Sequence, residues 1–98
     1  MSKGIVLAVD YHAKTIAFRW FNEATGEERT GTCSTSRVAI LRLLARAARE
    51  IEPGGEVVWI MESTTGWARV RELVGTRARF VLANVLQMPL PATAGGTR

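Results

Sequence analysis

Cysteine is all but missing from this chain, which has Cys33 alone among its 98 residues. A single thiol excludes an internal disulfide and a cysteine-based metal cluster. Long apolar runs are missing too. None approaches the ~20 residues of a membrane-spanning helix, and Met1-Ser2-Lys3-Gly4 leads into the first apolar segment with no signal-peptide pattern. A cytoplasmic protein that makes no use of a membrane is the expectation. Proline does not occur before Pro53, so regular elements can run uninterrupted through the first half. Acids are missing from the other end, where no Asp or Glu follows Glu72.

What remains suits one domain with a single core, since 47% of the residues are hydrophobic and 22% charged. The net charge of +4 is unevenly placed. Residues 1–33 carry four basic and four acidic side chains, whereas residues 34–98 carry nine and five. Such an excess fits a solvated arginine-rich surface or a phosphate-binding face, and charge alone does not separate them.

Hydrophobic periodicity orders the chain. Gly4–Asp10 is β-rich and apolar, and reads as a strand buried on both faces. In Lys14–Phe21, Ile16, Phe18 and Trp20 alternate with Thr15, Ala17, Arg19 and Phe21, the mark of a strand with one face more buried. Asn22-Glu23-Ala24-Thr25-Gly26 is a hairpin loop, and the polar Glu27–Cys33 fits a sheet edge. Ser34-Thr35-Ser36 offers N-caps for a helix over Arg37–Ile51, with Ile40, Leu41, Leu44, Ala48 and Ile51 as its apolar stripe. Pro53-Gly54-Gly55 ends that segment. A second doubly buried strand reaches Glu62, a short helix spans Trp67–Val74, and Arg77–Ala83 is a fifth strand. The domain is expected over residues 1–84, with residues 85–98 a linker or disordered tail. Three antiparallel strands followed by two parallel ones with crossover helices make a mixed α/β sheet, the layout of the ribonuclease H-like fold.

Two apolar runs end in a carboxylate: Ile5-Val6-Leu7-Ala8-Val9-Asp10 and Val57-Val58-Trp59-Ile60-Met61-Glu62. If they pair in parallel, Asp10 and Glu62 meet at one end of the sheet. Two carboxylates about 4 Å apart repel by roughly 4 kcal/mol at an intermediate dielectric. The pair persists if one acid is protonated or if a cation sits between them. Nucleases that transfer phosphoryl groups use clustered acids in this way, and oxygen-only ligands favour Mg²⁺ or Mn²⁺ over zinc. The alternative is that each acid forms a turn or neighbours a helix cap. His12, Lys14, Thr64 and Thr65 flank the acids as candidate nucleic-acid contacts, and Ser63, Thr64 and Thr65 are candidate caps for the second helix. Arg42, Arg46 and Arg49 share a helix face at i, i+4 and i+7, suited to nucleic acid or simply to water.

Leu7-Ala8-Val9-Asp10-Tyr11-His12-Ala13-Lys14-Thr15 resembles the opening motif of the DEDD transposases of insertion-sequence family one-ten. Met61-Glu62-Ser63-Thr64-Thr65-Gly66-Trp67 resembles that family's second motif, and Ala83-Asn84-Val85-Leu86-Gln87-Met88 is similar to the segment closing its fifth strand. The resemblance implies a RuvC-like, ribonuclease H-type domain that cleaves and joins DNA strands with Mg²⁺. It implies a structured guide RNA as partner and a homo-oligomer at full length. Asp10 and Glu62 take the positions of the first two acids of that family's four. The last two acids, in a D-x-x-D motif, and the serine-bearing C-terminal domain have no counterpart here. The resemblance therefore implies an N-terminal fragment, cut before the last helix and inactive alone. Three alternatives stand beside it: a small resolvase-like nuclease, a sugar-kinase or actin-like ATPase, and a non-catalytic remnant that binds nucleic acid or protein. The ATPase would need glycine in its phosphate-binding turn, which Tyr11-His12-Ala13 lacks.

Overall fold

The computed structural model describes residues 3–83. Within them the chain runs β1 (Ile5–Tyr11), β2 (Thr15–Asn22), β3 (Glu28–Ser34), α1 (Arg37–Glu50), β4 (Val57–Glu62), α2 (Trp67–Val74) and β5 (Arg79–Ala83). The expectations for Asn84 and for residues 85–98 lie outside the described residues. One sheet has the order β3-β2-β1-β4-β5. The β1–β2 and β2–β3 pairs are antiparallel, while β1–β4 and β4–β5 are parallel. The molecule is thus an α/β fold with a five-stranded mixed sheet, a layout compatible with that of ribonuclease H.

The expectation of strands buried on both faces fails for β1. Ile5, Leu7 and Val9 are buried, but Ala8 and Asp10 between them are exposed. In β4, Val58 is also buried and Ile60 is half-buried, so only there is the expectation nearly met. The reason is that one apolar cluster gathers both helices onto a single face. It joins Ile5, Leu7, Val9, Ile16, Trp20, Val57, Trp59 and Met61 of the sheet to Ile40, Leu43, Leu44 and Ala47 of α1 and to Val70 and Val74 of α2. Among the described residues no element packs on the other face. The apolar stripe of α1 likewise turns through Leu43 and Ala47 rather than through the exposed Ala48.

Local chemistry sets the element ends. Ser36 caps α1 by accepting a hydrogen bond from the Ala39 N–H at 3.2 Å. The helix stops at Glu50, one residue short of the expected end, because Ile51 is already extended. Asn22 closes the β2–β3 hairpin: it is buried, and its Oδ1 accepts from the Ala24 and Thr25 N–H groups at 2.9 and 3.2 Å. Replacing Asn22 with Ala orphans two backbone donors in that turn, so Asn22→Ala should cost about 1–2 kcal/mol in urea unfolding, with Asn22→Asp milder. On the edge strand, Arg29 bonds Glu27 and Glu50 and lies 5.0 Å from the Trp20 ring centroid, tying β3 to the end of α1. Its hydrogen bonds to Glu27 hold that carboxyl below the usual range.

Candidate active site

The parallel register of β1 on β4 decides where the acids go. Leu7 pairs with Trp59, Ala8 with Ile60 and Val9 with Met61. The next residue along each strand is an acid, Asp10 on one and Glu62 on the other. Neighbouring strands lie about 4.8 Å apart, so the two acids leave the sheet side by side. Side chains alternate, and Val9 and Met61 point into the core, so Asp10 and Glu62 belong to the open face. Both are exposed.

That face carries a shallow trough of about 690 Å³ with both acids in its wall. Its floor is small and apolar, with Ala8, Ala17 and Ile60, and Thr30 and Thr32 of β3 border it. Arg19 lines the trough as well. It sits opposite Ala8 in the antiparallel β1–β2 register, and so on the same face as Asp10. No acid pairs with it among the described residues. The sequence shows that Thr15, Ala17 and Arg19 share a face, but only the register shows that it is the face of the acids.

The other candidate residues fall in three places. His12 Nε2 lies 3.2 Å from Asp10 Oδ2, with both side chains well exposed. His12, Thr64 and Thr65 line a second, smaller hollow together with Tyr11, Ala13 and Gly66. Lys14 is exposed on the β1–β2 turn beside it, where its carbonyl accepts from the Thr35 N–H. Arg42 and Arg49 are exposed on α1, whereas Arg46 stacks over Trp20 at 5.5 Å. The arginines belong to the helix layer, the acids to the open face of the sheet.

The expectation that the Ser63, Thr64 and Thr65 hydroxyls cap α2 is not met. Gly66 is the N-cap residue and no side chain caps the helix. The Trp67 N–H instead donates to the Thr64 carbonyl at 3.1 Å, closing a turn with Gly66 at φ 95° and ψ −5°. This is the third position of a type II turn, which only glycine fills without strain. The Tyr11 ring is the second constraint there, since a Cβ on Gly66 would lie 2.9 Å from its Cε1 atom. Gly66 thus holds the loop after Glu62 against the strand that carries Asp10.

Cys33 is the one thiol of the chain. It is half-buried on β3, and burial pushes its thiol above the ordinary range. Little thiolate forms near neutral pH, so iodoacetamide should modify Cys33 more slowly at pH 8 than it modifies a free cysteine. Compared with protein-family models the chain matches none, and no curated protein matches it.

Proposed function

We propose that this chain carries the first half of a ribonuclease H-type DNA strand-transfer centre, akin to the DEDD transposases of insertion-sequence family one-ten. The observation that carries the reading is the β1–β4 register, which makes Asp10 and Glu62 neighbours on the open sheet face. The motif resemblance around both acids adds to it. On this reading DNA is the substrate, Mg²⁺ or Mn²⁺ the cofactor, and a structured RNA and further copies of the chain are the partners.

The donor set fits the cation. Mg²⁺ prefers oxygen ligands and keeps several waters, so one or two carboxylates on rigid strands suffice to hold it. Asp10 and Glu62 would be those ligands, and the charge of the ion would relieve their mutual repulsion. Bound there, the ion supplies Lewis-acid activation of the oxygen that attacks phosphorus. The protein's own contribution is placement. Strand ends fix both acids, His12 braces Asp10, and Arg19 offers a cationic donor to a phosphate lying in the trough.

Two acids hold one ion, and an in-line displacement commonly uses two. Among the described residues no three metal-binding side chains cluster. The chain by itself is therefore expected to bind DNA more tightly in Mg²⁺ than in EDTA without cutting it. The check is a gel assay with duplex and branched DNA, comparing the chain with its Asp10→Asn variant. Equal DNA binding with and without Mg²⁺ would sink the reading. Cleavage by the chain alone, lost in Asp10→Asn, would instead favour a self-sufficient resolvase-like nuclease.

A further inference from the structure

The two edges of the sheet are unlike. Glu28, Arg29, Thr30 and Thr32 run along β3, and such polar and charged residues are the usual defence of an edge against pairing with another chain. On β5 only Arg79 offers that defence, and Leu82 is 37% exposed. The Ser63 N–H donates to the Ala83 carbonyl at 3.2 Å, so Ala83 turns its backbone groups toward β4. Alternation then points the N–H and C=O groups of Phe80 and Leu82 outward, where no strand of the described residues pairs with them.

The helix above this edge carries a matching stripe. Val70 and Val74 form the buried side of α2, and Arg69 reaches toward the start of α1 to donate to the Thr35 carbonyl. On the β5 side, Ala68, Arg71, Glu72 and Gly75 line a hollow together with Trp67 and Phe80. Their spacing of i, i+3, i+4 and i+7 makes the first four one stripe. Arg71 and Glu72 are exposed, and neither side chain has a hydrogen bond or ion pair among the described residues. Helix and strand also span one height. The Ser63–Ala83 bond joins their heads, and the Arg77 N–H joins their feet by donating to the Val74 carbonyl at 2.9 Å. The middle of the stripe, between Arg71 and Glu72, therefore stands near the level of Val81, the middle of β5.

We infer that a second copy of this chain pairs along this edge, β5 antiparallel to β5, about a twofold axis through Val81 and normal to the sheet. Phe80 then meets Leu82 of the second copy in a hydrogen-bonded pair, Arg79 meets Ala83, and Val81 meets its own counterpart. The same axis pairs the helices. Arg71 meets Glu72 of the second copy, and Ala68 meets Gly75, where small residues let the helices come close. Since α2 packs on β4 and β5 alike, the two helices stand about two strand spacings apart. That is ~10 Å, the distance of packed helices. Opposite charges at one height fix the register, and each contact occurs twice, as an isologous interface requires. The contact is small, a strand of about 16 Å with one helix above it, so the dimer is a weak and reversible one. The proposed function calls for further copies of the chain without placing them. This edge supplies the contact, and its test needs neither DNA nor metal, so the two readings fail separately.

The test is analytical ultracentrifugation of the full chain in EDTA, from low to high micromolar concentration. Its mass is expected to rise from 10.7 kDa toward twice that value. Arg71→Glu sets four acids around the axis and should weaken the dimer by roughly tenfold or more. The swap Arg71→Glu/Glu72→Arg restores opposite charges across the axis and should recover dimerisation. Leu82→Lys puts a charge on the edge and should leave the chain monomeric throughout. Circular dichroism checks the fold of each variant, and Arg71 and Glu72 are exposed, so the charge pair alone decides the matter if Leu82→Lys does not fold. A parent chain that stays monomeric at every concentration overturns the inference, whether the edge stays bare or residues 84–98 cover it. A dimer that survives Arg71→Glu unchanged overturns it as well, because the copies then meet through another surface.

Discussion

Trp59→Ala should unfold the domain at temperatures where the parent chain is stable. Trp59 is fully buried on β4, in a strand with neighbours on both sides. It faces Leu7 in the β1 register and Phe80 in the β5 register, at the centre of the cluster under both helices. Truncating a buried tryptophan to alanine costs about 3–5 kcal/mol, a large part of the ~5–15 kcal/mol that holds a domain together. In a domain of this size that is a fall of on the order of 20 °C in Tm. Trp59→Phe is expected to be far milder. The indole Nε1 is buried with no hydrogen-bond partner among the described residues, so phenylalanine removes an unsatisfied donor while filling most of the space. Thermal unfolding of the two variants separates the ring's packing from its polar atom. A small loss in Trp59→Ala would mean that the core is not centred on β4.

Asp10→Asn is expected to move stability and metal affinity in opposite directions. Without metal, two exposed carboxylates on adjacent strand ends repel, so neutralising one should raise Tm slightly, within the small range of surface charge effects. With Mg²⁺, the same change removes one of the two anionic ligands. Affinity should then fall by about tenfold or more, because even hydrogen-bond partners of metal ligands are worth that much. Glu62→Gln should behave alike. The opposed signs are diagnostic: an acid serving only as a turn former would lower Tm when changed and leave Mg²⁺ affinity alone. The His12 contact works against the rise in Tm, so Asp10→Asn in a His12→Ala background should show the larger stabilisation.

Much of this architecture was legible in the sequence because the signals were local. Alternating Ile16, Phe18 and Trp20 marked β2, serine before Arg37 marked the start of α1, and the polarity of β3 placed it at an edge. The acid pair was legible for the same reason, since each apolar run ended in a carboxylate and the element order made the two runs parallel neighbours. Three features were not. Ala8 looks like core within an apolar run, and its exposure follows only from both helices packing on one face. Arg19 looks like a surface residue of β2 until the β1–β2 register sets it opposite Ala8, in the same trough as the acids. Likewise, Thr64 and Thr65 suggested hydroxyl caps, but the positive φ of Gly66 closes that turn through the backbone.

The pairing of Asp10 with Glu62 as one cation site is tested most directly by NMR of the side-chain carboxyl carbons during a Mg²⁺ titration. The Asp10 and Glu62 resonances are expected to shift together along a single saturation curve. Acids remote from the site, such as Glu23 and Glu52, should stay in place. If neither resonance moves, or if the two saturate at separate concentrations, the acids do not share an ion and the proposed centre does not exist.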